Sequence, residues 1–331
     1  MSTSKSCKDG ASKLNDACDV NNNLHNINTA DNNVSVCANC GKGEEERGKL
    51  KNCTACKLVK YCSRECQIAH RPQHKKECKK RAAELHDEEL FKQPPPQYGD
   101  CPICFLRLPF VMVSGWRYFG CCGKVICSGC CYAPVYDDQG NEVDEKCPFC
   151  RTPFPTSQEE AIERERKRVD AEDPIAIFNI GMYYKDGRNG FPQDMNKALE
   201  LLHRAGELGS AEAYTNIGYS YHNGVGVEVD KKKARHYYEL AAMKGDAAAR
   251  FNLGNDECRA GNKERAFKHW MIAARDGYSN SLNNIKDLYT NGHITKEDYA
   301  EALQSYQTYL GEIKSVQRDK AAAFSDTFRY Y

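Results

Sequence analysis

Sixteen of the 19 cysteines in this 331-residue chain fall between Cys37 and Cys150, most of them as C-x-x-C pairs. Such density leaves two chemistries, disulfides or metal ligation, and the compartment decides between them. The N-terminus has no charged-then-apolar stretch of the kind that marks a secretory leader. No run of about 18 apolar residues is present to cross a membrane. A reducing compartment, cytoplasm and/or nucleus, is therefore expected, and there paired cysteines read as metal ligands.

Metal ligation changes the charge balance. The formal net charge is +1, but thiolates, not thiols, bind metal. A zinc ion held by four cysteines carries −2, and one held by three cysteines and a histidine carries −1. Three sites of the first kind and one of the second bring the chain to about −6, which speaks against a protein that coats nucleic acid.

Composition divides the chain. Residues 1–35 are rich in Ser, Lys, Asp and Asn without apolar period and are expected to be disordered, with Cys7 and Cys18 as free thiols. A cysteine-dense segment, 36–81, is followed by 82–98, a charged helix (82–91) stopped by Pro94-Pro95-Pro96, an extended spacer. A second cysteine-dense segment covers 99–153, and 154–172 reads as a solvated, charged helix. From 173 to 314 cysteines nearly vanish and Ala, Gly, Tyr and Leu take over, before a C-terminal tail, 315–331.

In the first dense segment the spacing is C37-x2-C40, C53-x2-C56, C62-x3-C66 and H74-x3-C78. Four pairs suffice for two tetrahedral zinc sites. A C-x2-C turn points two sulfurs at one metal, and an x3 pair suits one helical turn, because i and i+4 share a face. His70 lies nearby, but only His74 stands four residues before Cys78. The whole pattern, with Tyr61-Cys62 and Cys66-Gln67, resembles the MYND-type zinc finger. The resemblance implies interleaved sites, Cys37, Cys40, Cys62 and Cys66 for one zinc and Cys53, Cys56, His74 and Cys78 for the other. It also implies binding of proteins through short proline-containing peptides. The segment from Cys37 to Arg81 has 13 Lys and Arg against 5 Asp and Glu, or +8. That excess reads as compensation for its own thiolates plus a solvated face.

The second segment opens with Cys101-Pro102-Ile103-Cys104 and closes with Cys147-Pro148-Phe149-Cys150-Arg151, with Cys121, Cys122, Cys127, Cys130 and Cys131 between. This resembles a RING finger. The resemblance implies a cross-brace, Cys101 and Cys104 with Cys127 and Cys130, and Cys121 and Cys122 with Cys147 and Cys150. One position departs from the family: Lys124 stands where a histidine ligand is common. Cys121 is the replacement considered first, although adjacent ligands strain the geometry. Cys131 is an alternative, and so is loss of the second site. RING fingers recruit a ubiquitin-conjugating enzyme, and Ile103, Pro148 and Arg151 occupy positions that make that contact. Each also has a plain reading, as core, knuckle geometry and surface charge.

The last long region repeats itself. Asn179-Ile180-Gly181, Asn216-Ile217-Gly218 and Asn252-Leu253-Gly254 recur, closed by Gly209, Gly245 and Gly277 at periods of 36 and 32. Each unit reads as two antiparallel helices. Asp194 and Asp230 suit N-caps, and the closing glycines suit helix stops. Glycine inside a helix costs about 1 kcal/mol against alanine, so Gly181, Gly218 and Gly254 point to close helix contacts. The region resembles the Sel1-like repeat family, relatives of tetratricopeptide repeats, with 278–314 as a degenerate capping unit. Trp270 and most ring residues are assigned to the core, and Cys258 is a lone thiol.

The expected architecture is thus multidomain, small zinc-stabilised MYND and RING-like modules followed by an all-α Sel1-like solenoid. The expected cofactor is Zn2+, two in the first finger and up to two in the second. Closed four-ligand sites leave no position for a reacting water, so a scaffold or adaptor for proteins is the leading expectation. A RING-type ubiquitin ligase and a transcriptional co-regulator are the alternatives.

Overall fold

The computed structural model describes residues 35–110, 115–133 and 145–331. The expected disordered tail, with Cys7 and Cys18, lies outside the described residues but for Ser35. The chain divides into two units, Met1–Arg81 and Ala82–Tyr331.

In the first unit a short helix α1 (Glu44–Arg47) precedes a two-stranded antiparallel ribbon, β1 (Lys51–Asn52) and β2 (Lys60–Tyr61), and then α2 starts at Arg64. The sequence suggests separate helical pieces around Cys66, Cys78 and residues 82–91. They are instead one helix of 27 residues, Arg64–Leu90, with Pro72 inside it. Proline removes the bond to the Ile68 carbonyl and costs about 3 kcal/mol in a helix interior. Here the ring is exposed, and cluster cysteines on both sides, Cys66 and Cys78, fix the helix. The buried core consists of Cys37, Leu50, Cys53, Cys56 and Tyr61. Three of these five residues are cysteines, so the hydrophobic effect contributes little here and metal ligation has to supply the rest.

The second unit begins with the last turns of α2. A hairpin follows, β3 (Trp116–Phe119) against β4 (Lys124–Cys127), with Trp116 opposite Cys127, and then a short helix α3 (Ser128–Tyr132). Helix α4 (Gln158–Asp170) has no fully buried residue. Its half-buried Ile162 and Val169 nevertheless pack on the first repeat, so it is not the solvated linker its charges suggest.

Six 13-residue helices form three antiparallel pairs, α5 (Pro174–Asp186) with α6 (Met195–Glu207), α7 (Ala211–Asn223) with α8 (Lys231–Met243), and α9 (Ala247–Arg259) with α10 (Lys263–Arg275). Asp194 and Asp230 cap α6 and α8 through backbone N–H donors, as their positions suggest. A Cβ on Gly254 would lie 2.4 Å from Trp270 Nε1, and one on Gly218 would lie 2.7 Å from the Tyr238 ring. These glycines are where a ring of the second helix crosses the first. α11 (Asn280–Thr290) and α12 (Lys296–Ile313) complete the stack. The C-terminal residues are not a tail: α13 (Val316–Phe324) packs against α3.

The turns before α5, after α8 and after α10 receive the segments that precede the solenoid. Asp173 accepts from Tyr118 Oη at 3.0 Å. Asp276 accepts from Arg107 at 2.8 Å and from Gln93 at 3.3 Å. Gly245, with φ +94°, has no room for a Cβ, which would lie 2.4 Å from the Pro95 carbonyl oxygen. The proline segment is therefore docked rather than a free spacer. Leu90 is fully buried among Ala234, Tyr238 and Leu253. Arg250, also fully buried, donates to the carbonyls of Leu90 and Lys92. Arg265 pairs with Asp87 and, at 3.0 Å, with Glu257. Burial works against the Glu257 charge, but bonds from Arg235, Asn262 and Arg265 hold its carboxyl down to about 2.

His269 sits under this docked segment, 4.6 Å from the Phe91 ring, fully buried and with neither ring nitrogen bonded. Burial, then the nearby Arg250 charge, push its pKa down to about 3 from an ordinary 6.5. The folded state keeps this imidazole neutral while the unfolded chain protonates below 6.5. Stability is therefore lost as pH falls from 6.5 toward 3. His269→Leu should remove that component. Thermal melts at pH 7.5 and pH 5 should show a smaller acid-induced drop for the variant than for the unsubstituted protein. Equal drops would mean that this histidine is protonated in the fold.

Candidate metal centres

Four C-x-x-C turns share one backbone geometry. The N–H of the residue after the second cysteine donates to the carbonyl of the first: Gly41 to Cys37 at 2.9 Å, Lys57 to Cys53 at 3.0 Å, Phe105 to Cys101 at 2.9 Å and Arg151 to Cys147 at 2.9 Å. All four donors have positive φ, between 56° and 72°. Glycine adopts that conformation freely, whereas Lys57, Phe105 and Arg151 are strained by roughly 1–3 kcal/mol each. The sulfur clusters that these turns serve over-determine the conformation.

The turns and the helices deliver four clusters, each with all donor atoms within 4.8 Å of one another. A tetrahedral zinc with Zn–S near 2.3 Å sets its sulfurs about 3.8 Å apart. The first cluster is Cys37, Cys40, Cys62 and Cys66, with Cys40–Cys62 at 3.7 Å and Cys62–Cys66 at 3.6 Å. The second is Cys53, Cys56, His74 and Cys78, with Cys53–Cys78 at 3.7 Å and Cys56 Sγ 3.1 Å from His74 Nε2. These donor sets fit zinc. His70 is elsewhere, its Nδ1 3.1 Å from the Tyr61 hydroxyl.

The third cluster is Cys101, Cys104, Cys127 and Cys130, with Cys104–Cys127 at 3.7 Å. The fourth is Cys121, Cys122, Cys147 and Cys150, with Cys122–Cys147 at 3.9 Å and Cys121–Cys150 at 3.4 Å. Adjacent Cys121 and Cys122 thus both reach one cluster. Cys131 points away, its thiol 3.5 Å from the Ile126 carbonyl and pushed up by burial. Lys124 is no donor either; its ammonium lies 5.8 Å from the centre of the Phe149 ring.

Protons distribute unevenly over such clusters. Burial opposes ionisation of Cys37, yet backbone N–H groups of Cys40, Cys62 and Asn39 hold it down to about 6. Burial, then the neighbouring Cys66, Cys37 and Cys40, push Cys62 up to about 12. A first thiolate thus suppresses the next, and a dication is what lets four ionise together.

One residue beside the third cluster escapes a sequence reading. Arg318, on α13, is fully buried. It donates to the carbonyls of Ile313 at 2.6 Å, Arg107 at 2.8 Å and Leu106 at 3.3 Å, and lies 3.9 Å from Cys104 Sγ. Among the described residues no carboxylate pairs with it. Burial works against its charge, but the Cys127 and Cys104 sulfurs more than offset that. Nothing in the local sequence around Arg318 marks this role, because Cys104, Leu106 and Arg107 lie more than 200 positions away.

Of the residues singled out for contact with a conjugating enzyme, Ile103 is 37% exposed, beside Phe105 at 77%, and Pro148 is half-buried. Arg151 is the strained fifth residue of its turn.

Fold and donor sets together define a zinc-finger protein with a helical-repeat solenoid. Comparison with known proteins identifies both parts. Residues 37–78 match the MYND finger family, and residues 174–210 and 211–246 match the Sel1 repeat. The SET domain and MYND-type zinc finger protein 6 of Schizosaccharomyces pombe is 50% identical over 40 residues, 12% of this chain and 8% of its own length. The ERAD-associated E3 ubiquitin-protein ligase component HRD3B of Arabidopsis thaliana is 33% identical over 90 residues, 26% of this chain and 13% of its own. A solved Sel1 repeat protein from Oxalobacter formigenes is 30% identical with a TM-score of 0.41, covering 46% of this chain and 64% of that one. The chain therefore spans only a small part of each of these curated relatives. MYND fingers and Sel1 repeats are protein-interaction modules, and the MYND finger brings zinc with it.

The two histidines of the first unit give a direct check. His74→Ala should hold one zinc ion fewer than the unsubstituted protein in native mass spectrometry, and His70→Ala should hold the same number. The reverse pattern would make His70 the ligand.

Proposed function

We propose that this protein is a non-enzymatic adaptor in the cytoplasm or nucleus that carries four zinc ions and joins protein partners. The observation that carries this reading is the closure of every cluster, four protein donors each. A four-coordinate structural zinc has no position for substrate or water, so its chemistry here is folding free energy. Cys37, Cys40, Cys62 and Cys66 hold one ion, and Cys53, Cys56, His74 and Cys78 the second. Cys101, Cys104, Cys127 and Cys130 hold the third, and Cys121, Cys122, Cys147 and Cys150 the fourth.

The third and fourth sites make 99–153 a RING-like module. Zinc in the third site leaves its four thiolates at −2 overall, and that charge compensates the buried Arg318 cation. The module belongs to one unit with the solenoid through Arg107, Tyr118 and Arg318. Partners of the second unit then meet one continuous surface rather than two tethered domains.

The MYND finger takes proline-containing peptides, as the likeness to its family suggests. A groove beside the second cluster, with Ile68 60% exposed, suits an apolar anchor. An array of proline-containing peptides probed with the full chain should give a bound set that Ile68→Glu loses. An array with no binding above background would contradict this part of the reading.

A RING-type ubiquitin ligase is the second reading. It is favoured by the apolar side chains exposed on the knuckles of the module, Ile103, Phe105 and Phe149. A co-regulator of transcription rests on the MYND likeness alone. Autoubiquitination with a panel of conjugating enzymes separates adaptor from ligase. The adaptor reading expects no ubiquitin chains with any of them. Chains that form and are lost on Ile103→Ala would establish the ligase.

A further inference from the structure

The groove beside the second cluster has a volume of 460 Å³ and an asymmetric lining. Its apolar lining is Tyr61, Ala55 and Ile68, beside Thr54 and Gln67. Its wall is the first part of α2, which contributes Arg64, Arg71, Lys75 and Lys79. At 100° per residue, positions 64, 68, 71, 75 and 79 fall within an arc of about 80° and span about 22 Å of helix. Four cations and one exposed isoleucine therefore form a single stripe.

No Asp or Glu lines the groove. Among the described residues Arg71, Lys75 and Lys79 have no ion-pair partner. The zinc cluster at its base would carry −1, which leaves about +3 from the four cations. Charge compensation for thiolates, the reading that composition favours, does not use these side chains up. The thiolates lie at the base of the groove, and the stripe is exposed along its wall.

We infer that this groove takes an extended acidic peptide, a segment of a partner protein in which Asp or Glu flanks a proline or aliphatic anchor. The anchor covers Ile68 and Tyr61, and the carboxylates meet Arg71, Lys75 and Lys79. The inference rests on the proposed peptide-binding role of the finger and names the partner chemistry. An exposed Ile68 beside Tyr61 and among four cations favours such a peptide over nucleic acid, whose backbone offers charge at regular spacing and no apolar anchor.

Fluorescence anisotropy on the full-length zinc-loaded chain tests it with three probes. They are a proline-containing peptide flanked by Asp and Glu, the same peptide with Asn and Gln in their place, and a DNA duplex. The acidic peptide should bind roughly tenfold tighter than the neutral one, and the gap should narrow as salt is raised. Arg71→Gln with Lys75→Gln should narrow the gap, because Arg64 and Lys79 remain, and leave zinc content unchanged; both positions are exposed. The charge-reversed pair, Arg71→Glu with Lys75→Glu, should place the acidic peptide below the neutral one. Equal affinities for the two peptides in the unsubstituted protein would overturn the inference and leave the peptide-binding role standing. DNA bound tighter than the acidic peptide would overturn the inference in favour of nucleic acid. Binding of neither peptide would remove both.

Discussion

Sulfur converges wherever the N-terminal half of the chain lacks apolar residues for a core. In the first unit three of five buried core residues are cysteines, and around the hairpin of the second unit five of eight are. Thiols at this density do not hold a fold by packing, because a cysteine buries little area and thiolates repel. A dication turns that repulsion into coordination. The common turn geometry, with Lys57, Phe105 and Arg151 forced into left-handed backbone, follows from the need to aim two sulfurs at one point.

Two buried arginines carry the same theme into the rest of the chain. The terminal nitrogens of Arg250 donate to backbone carbonyls of the segment that enters the solenoid edge, and those of Arg318 to carbonyls and a sulfur cluster, while Nε of each is buried without a partner among the described residues. A cation removed from water costs several kcal/mol unless its donors are satisfied and a countercharge is near. Arg318 has its countercharge only when the third cluster is ionised. Under the proposed third zinc site, metal binding there and docking of α13 would be linked, with the C-terminal residues supporting that cluster.

Much of this was legible in the sequence. Ligand spacing separates His74 from His70, and the structure brings together the same four sets of donors that the two resemblances imply. Recurring glycines mark the crossings with Tyr238 and Trp270. Other features were not legible, for physical reasons. The single helix α2 is one, because the clusters that Cys66 and Cys78 join, on either side of Pro72, come together only in the fold. Residues 315–331 read as a tail because Cys104, Leu106 and Arg107, which Arg318 meets, are distant in sequence. The proline segment reads as a spacer because its docking depends on Arg250, Gly245 and Asp276. The charges of 154–172 conceal Ile162 and Val169, whose half-burial decides where that helix lies.

The proposal's central claim is that four closed zinc clusters hold the two cysteine-dense segments, and that the cluster of Cys101, Cys104, Cys127 and Cys130 supports α13 through Arg318. Native mass spectrometry of the whole 331-residue chain measures this most directly. Four zinc ions per chain are expected. Two ions, with the first unit fully loaded, would contradict the claim by leaving Cys101 to Cys150 without metal and the buried charge of Arg318 without its counterpart.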